Sequence, residues 1–175
     1  MHVAAYDPGW PRRFEAEQGS LEQILAPWLF GGIHHIGSTA VPGLAAKPVL
    51  DMIAGVRDLD QTTAAISVPS RLSYAHAPHR PRALWFHKLA SAGAAQHTRQ
   101  LHLTEPGSDL WQERLAVRDA LRADPVLASQ YQELNMRLAD SAGDIAIYTA
   151  GKRAFVAGAL ASAGIRLRPR TANGT

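Results

Sequence analysis

Residues 34 to 56, HHIGSTAVPGLAAKPVLDMIAGV, constrain the fold of this chain more than any other stretch. Ile33 to Ile36 reads as a strand, Gly37-Ser38 as a turn directly after it, and Pro42-Gly43 as a loop. Lys47-Pro48 then opens a second strand, Val49 to Val56, apolar throughout except for Asp51. A long apolar strand of this kind is covered on both faces. Side chains alternate along a strand, so Leu50, Met52 and Ala54 share one face, while Val49, Asp51 and Ile53 share the other. A carboxylate held there is costly without a cation, a metal ion or several hydrogen-bond donors. Asp51 therefore predicts a partner, and the Gly37-Ser38 turn is the nearest source of one.

The remaining segments read as layers around those two strands. After Asp7-Pro8-Gly9, residues Trp10, Phe14, Leu21, Ile24, Leu25 and Trp28 recur at helical spacing until the break at Gly31-Gly32. Downstream of the second strand, Asp58 or Asp60 caps a short helix through Ala65-Ile66, which Pro69-Ser70 ends. Strands follow at Leu72 to Ala75, Leu84 to Leu89 and Arg99 to Thr104, the last two forming an antiparallel pair. In the last of them Leu101 and Leu103 face one side, and Gln100, His102 and Thr104 the other. Ser108 is an N-cap for a helix with Leu110, Trp111, Leu115 and Leu121 on its apolar stripe. Asp124-Pro125 starts another, with Leu127, Tyr131, Leu134 and Leu138 in register, and Ile145 to Ala161 forms a last one. One helix, a strand-rich middle and three helices predict an α+β (mixed α/β) fold. About five strands form a mixed sheet flanked by helices, with the C-terminal helices packed on it. The expected organisation is a single domain over residues 1–165 and a flexible basic tail at 166–175.

Charge placement matters more than its total. The pI near 9.6 invites a nucleic-acid reading. Three of the 18 basic residues, Arg166, Arg168 and Arg170, lie in the tail, and without them 15 basic residues face 15 acidic ones. Within the body, residues 61 to 104 contain no Asp or Glu but carry Arg71, Arg80, Arg82, Lys88 and Arg99, with five of the eight histidines. Such a block is either a solvated basic face or a surface that neutralises an anion such as phosphate. No apolar run approaches the ~20 residues of a membrane helix. The chain opens without a secretory pattern and contains no cysteine, so the expected location is the cytoplasm, with no membrane partner.

Gly37-Ser38 after a strand is a phosphate-holding arrangement, because glycine admits a ligand close to the backbone and turn N–H groups with a hydroxyl bind oxygens. It is not a P-loop, since Gly43 is followed by Leu44. IGSTAVPGLAAKPVLDMI closely resembles the signature of the GrpB family of the nucleotidyltransferase superfamily. YDPGWPRRFEAE, RQLHLTEPGSDLWQERLAVRDALRADPVLASQY and YTAGKRAFV match it in the same order. The resemblance spans residues 3 to 160 and implies a nucleotidyltransferase-like fold, with the Gly-Ser turn and a strand carboxylate at the cleft. Related domains fused to dephospho-coenzyme A kinase point towards nucleotide metabolism. Working members of the superfamily carry two acidic residues one apolar residue apart, and a third on a neighbouring strand. Together these hold two Mg²⁺ ions for phosphoryl transfer. Here the first acid is Asp51, the second position holds Ile53, and the third offers His102. One carboxylate with a histidine is a poor Mg²⁺ site.

The candidate set is Asp51 and His102 for chemistry, with Asp51 the one candidate metal ligand. Gly37, Ser38, Thr39, Lys47, Arg80, Arg82, Lys88 and Arg99 are the candidates for binding phosphate, and Arg118 and Lys152 for lining the cleft from the helical side. The first reading is a protein that binds a nucleotide or other phosphorylated small molecule and transfers a nucleotidyl or phosphoryl group. The second is a binding module that has lost the metal site, so that Mg²⁺ enters only with a bound nucleotide. The third, a nucleic-acid binder, lacks evident aromatic platforms. Oligomeric state is left open.

Overall fold

The computed structural model describes residues 3–62, 72–77, 83–90, 97–140, 145–162 and 164–165. Arg71, Arg80 and Arg82, the expected helix through Ala65-Ile66 and the tail 166–175 lie outside the described residues.

The chain begins with α1 (Trp10–Leu25), then β1 (Leu29–Ile36), a single 3-10 turn at Ser38–Ala40, and β2 (Leu50–Val56). A short helical turn α2 (Leu59–Thr62) follows, with Asp58 Oδ1 accepting from the Gln61 N–H at its start. Next come β3 (Tyr74–His76), β4 (Leu84–Leu89) and β5 (His97–Thr104), and then α3 (Asp109–Ala123), α4 (Pro125–Asp140) and α5 (Ile145–Ser162). The caps read from sequence operate. The Ser108 hydroxyl accepts from Trp111 N, and Asp124 Oδ1 accepts from Val126 N and Leu127 N.

The five strands form one mixed sheet in the order β1-β2-β5-β4-β3, in which β2 and β5 are parallel and the other neighbours antiparallel. Under α1 lies the main core, where Leu21 and Leu25 meet Ile33, Met52, Ala54, Val56, Phe86, Leu101 and Leu103. These strand residues share one face by alternation, as Met52 and Ala54 were expected to. The opposite face, which carries Asp51, takes α3 across β1 and β2. A second core of Val41, Leu44, Leu121 and Tyr131 ties the loop before β2 to the helical layer. No helix among the described residues is long and apolar enough to cross a membrane.

One boundary differs from expectation. Gly31 and Gly32 sit inside β1, with φ of +94° and +81°, where the register against β2 shifts between Leu29 and Ile33. Two consecutive positive φ angles make an irregular bulge that non-glycine residues would strain. The glycines therefore bend the strand where the sequence suggested that they precede it.

The core under α1 contains a polar cluster. Glu17 is buried; its carboxylate accepts from Tyr74 Oη at 3.1 Å and Lys88 Nζ at 3.2 Å, and it forms an ion pair with Arg99 Nε at 2.5 Å. Burial, followed by the negative charge of Glu17, raises the Tyr74 hydroxyl pKa. This corrects the reading of Lys88 and Arg99 as candidates for binding phosphate beside the Gly37-Ser38 turn. Lys88 pairs in register with Arg99, and Arg99 with Leu50, so both occupy the α1 face.

Glu17→Gln should therefore cost about 2–4 kcal/mol in urea unfolding, because two cations lose their shared carboxylate. The figure sits at the lower end for a buried pair because the Lys88 and Arg99 side chains keep 25% and 26% exposure. A loss below about 0.5 kcal/mol would show that water supports both cations unaided.

Candidate functional site

Asp51 is the second residue of β2, half-buried, on the face opposite α1. It stands in register with Ile36 of β1 on one side and Gln100 of β5 on the other. Immediately after β1, Gly37 adopts φ +72° and ψ −172°. A methyl group there would lie 2.6 Å from Asp51 Oδ2 and 3.1 Å from its Cβ. Glycine at this position thus allows both the backbone turn and the close seat of the carboxylate.

That carboxylate accepts no hydrogen bond from the described residues. Burial pushes its pKa up to about 6, while Arg114, Lys152 and Lys47 pull it down. These three cations come from α3, α5 and the loop before β2. Lys152 also lies over the Tyr131 ring at 5.8 Å. Arg114 makes only a distant ion pair, 3.9 Å from Glu113, and its buried Nε has no hydrogen-bond partner among the described residues. The site therefore holds one carboxyl of perturbed acidity among three convergent positive charges.

Arg114 belongs to a column. Arg114, Arg118 and Arg122 recur every four residues and share one face of α3. Arg118 Nη1 donates to His35 O at 3.2 Å, and Arg122 Nε donates to Ala40 O at 2.8 Å. The two carbonyls bracket the Gly37–Thr39 turn, so α3 fixes the turn from both ends. The four-residue spacing was legible in ERLAVRDALR, yet only Arg118 was read from it.

The other candidates divide. Ser38 starts the 3-10 turn beside Gly37, half-buried, and its hydroxyl makes no hydrogen bond among the described residues. Thr39 is corrected out of the ligand set. Its buried hydroxyl donates to Val49 O at 3.1 Å and accepts from His35 Nε2 at 3.0 Å. Because the Thr39 proton goes to Val49, His35 supplies the other, which makes it the Nε2–H tautomer. Burial, then Arg122 and Arg118, pushes the His35 pKa down to about 4, and its ring stacks on Phe14 at 4.8 Å. His34 faces the other way, against Trp111, so the two histidines separate as strand alternation requires.

His102 is buried on the Asp51 face, in register with Ile53. Positions 51, 53 and 102 therefore share one face of the sheet. At the position where the sequence resemblance implied a second carboxylate, the Ile53 side chain is fully buried. An aspartate, an isoleucine and a histidine do not fit a two-magnesium centre, because these hard ions need several oxygen ligands. Two open grooves flank the region. One of about 490 Å³ lies between Val41–Leu44 and α3–α4 and includes Arg122, and another of about 450 Å³ lies by Trp10 and Pro48. Neither contains Asp51, whose surroundings are defined by the convergence of charge on it.

The family model described as GrpB protein matches residues 1–162. A UPF0157 protein of Deinococcus radiodurans is 35% identical over 158 residues, covering 90% of this chain and 79% of that one. The glutamate-rich protein GrpB of Alkalihalophilus pseudofirmus is 31% identical over 160 residues, covering 88% and 90%. The crystal structure of conserved protein GrpB from Enterococcus faecalis superposes with a TM-score of 0.81 at 28% identity, covering 93% of this chain and 99% of that one.

The two perturbed groups oppose each other in pH. The Asp51 carboxyl moves from 3.8 to about 6 on folding, so its contribution to stability falls as pH rises through that window. His35 moves from 6.5 down to about 4, so its contribution is lost as pH falls through nearly the same window. Asp51→Asn should raise unfolding free energy at pH 8 by on the order of 1–3 kcal/mol, with the gain vanishing near pH 4. Urea unfolding of both proteins across that range checks this. A variant no more stable at pH 8 would mean that Asp51 is held by unseen donors.

Proposed function

The chain belongs to the GrpB family, and from that premise we propose that its Asp51 face binds the phosphate groups of a nucleotide or other phosphorylated small molecule. The observation that carries this reading is the convergence of Arg114, Lys152 and Lys47 on a single half-buried carboxyl. Three cations acting on one carboxyl set up a positive field around it, and an anion of two or more charges is drawn to such a field. The guanidinium of Arg114 suits a phosphate because its planar fork reaches two oxygens at once. Gly37 and Ser38 add backbone approach and an open hydroxyl at the same place.

Nucleotidyl or phosphoryl transfer is a second reading, favoured by one observation. A carboxyl with a pKa of about 6 is poised to accept a proton near neutral pH, as a general base must. In that case Asp51→Asn abolishes turnover and retains ligand. A nucleic-acid surface on residues 61–104 is weakened, because Glu17 takes Lys88 and Arg99 to the other side of the sheet.

Thermal unfolding with inorganic pyrophosphate and with nucleotides tests the binding reading. A ligand at a hundredfold excess over its dissociation constant adds about 2.7 kcal/mol of stability. Arg114→Ala should weaken that ligand about tenfold or more, while Lys88→Met leaves it unchanged. The absence of any shift with millimolar pyrophosphate or nucleotide would sink the proposal. Mg²⁺ titrated alone should show no micromolar affinity, since Ile53 occupies the second acidic position. A tight calorimetric isotherm for Mg²⁺ alone would overturn that expectation.

A further inference from the structure

An aromatic cluster on the Asp51 side of the sheet is unused by the anion site. His87 and His97 stack with ring centroids 4.3 Å apart at 19°. Trp85 lies 5.5 Å from His87 and 6.2 Å from His97. All three residues are half-buried, so the stack keeps accessible ring surface. The irregularity between Lys88 and Leu89 is what lets His97 meet His87 instead of following strict alternation along β5.

Register places this cluster relative to the charges. Asp51 pairs with Gln100, and Gln100 pairs with His87, so the three stand in one cross-strand row. Neighbouring strands lie about 4.8 Å apart, which puts His87 about 10 Å from Asp51. The Lys47 charge acts on both Asp51 and His97. His87 Nδ1 is buried and has no hydrogen-bond partner among the described residues. A buried polar atom without a partner calls for one, and the polar edge of a flat heterocycle placed against the stack can supply it.

We infer that Trp85, His87 and His97 form a stacking ledge for the base of a nucleoside phosphate whose phosphates lie among Arg114, Lys152 and Lys47. The inference rests on the proposed anion site and narrows its ligand from any phosphorylated molecule to a nucleotide. The chemistry is that of base–aromatic stacking, which every base satisfies through its π-face. The separation along the row matches the reach from a nucleotide's base to its phosphates, and Gln100, between Asp51 and His87, faces the intervening sugar. A sugar phosphate or pyrophosphate would use the cations and leave the rings bare.

Calorimetric titration with adenosine diphosphate, ribose 5-phosphate and inorganic pyrophosphate separates the two levels of the argument. Wild type should bind adenosine diphosphate at least tenfold more tightly than the other two. His97→Ala and His87→Leu should each lower that affinity about 5- to 100-fold, the worth of a stacked base, and leave pyrophosphate unchanged. His87→Phe should keep most of the affinity, which guards against a variant that merely misfolds. Adenosine diphosphate should also quench tryptophan fluorescence of the wild type, and Trp85→Phe should remove the quench. The ledge is overturned, with the anion site intact, if adenosine diphosphate binds no better than pyrophosphate. It is equally overturned if the ledge variants weaken both ligands alike, or if the quench survives Trp85→Phe. If no ligand binds the wild type, both proposals fall.

Discussion

Arg118 and Arg122 join the two halves of this molecule, because each donates a guanidinium hydrogen bond from α3 to a backbone carbonyl beside the turn that follows β1. His35 O and Ala40 O lie on either side of Gly37 and Ser38, so the turn is gripped at two points. Arginine suits this task better than lysine, since its fork is rigid and its charge weakly hydrated. The grip also has an electrostatic consequence. Burial and the neighbouring Arg118 both disfavour the charged form of Arg122, and Asp119 offsets only part of that. The same helix face continues to Arg114, whose Nε finds no hydrogen-bond partner among the described residues. A column that holds the turn in place therefore also brings surplus positive charge to its mouth.

Asp51 meets that charge from the sheet side without satisfying it. A carboxylate in this position would ordinarily be paired or hydrogen-bonded. Here it lies against the Gly37 backbone, accepts nothing from the described residues, and is raised in pKa chiefly by burial. Groups that break a local rule without local compensation concentrate at functional sites. Asp51 and Arg114 break it with opposite charges at one place. Packing gives no reason to keep both, whereas a ligand that brings phosphate oxygens supplies one.

Much of this was legible from residues alone. Strand alternation put Asp51 and Ile53 on one face, with Leu50, Met52 and Ala54 on the other. Ser108 and Asp124 were recognisable as caps because their side chains accept from the first free N–H groups of a helix. The placement of Lys88 and Arg99 failed for an instructive reason. Arg99 has the parity of Leu101 and Leu103, so alternation already assigned it to the apolar face. The absence of acids between residues 61 and 104 suggested instead a free basic surface. The answering acid, Glu17, sits on α1, and only the tertiary fold brings it beneath β4 and β5. Arg114 and Arg122 were legible by their spacing, and were passed over because a helix stripe is read first for its apolar residues. The bulge at Gly31-Gly32 depends on how β1 meets β2, which no local pattern encodes.

The sheet consequently separates two electrostatic regimes built from similar residues. On the α1 side, Lys88 and Arg99 share the carboxylate of Glu17, which also accepts from the Tyr74 hydroxyl, so the charge is answered within the fold. On the α3 side, Arg114, Lys152 and Lys47 surround a carboxyl that burial drives towards its neutral form. Neutralising that carboxyl removes a negative charge that offsets the three cations. The nearer Asp51 comes to holding its proton, the more positive the cleft becomes, and the more strongly it favours an anion. An anion that binds there strengthens this coupling in turn, because added negative charge raises the Asp51 pKa further. Ligand binding and proton uptake at Asp51 are thus linked in the same direction, a property the Glu17 cluster on the other face does not share.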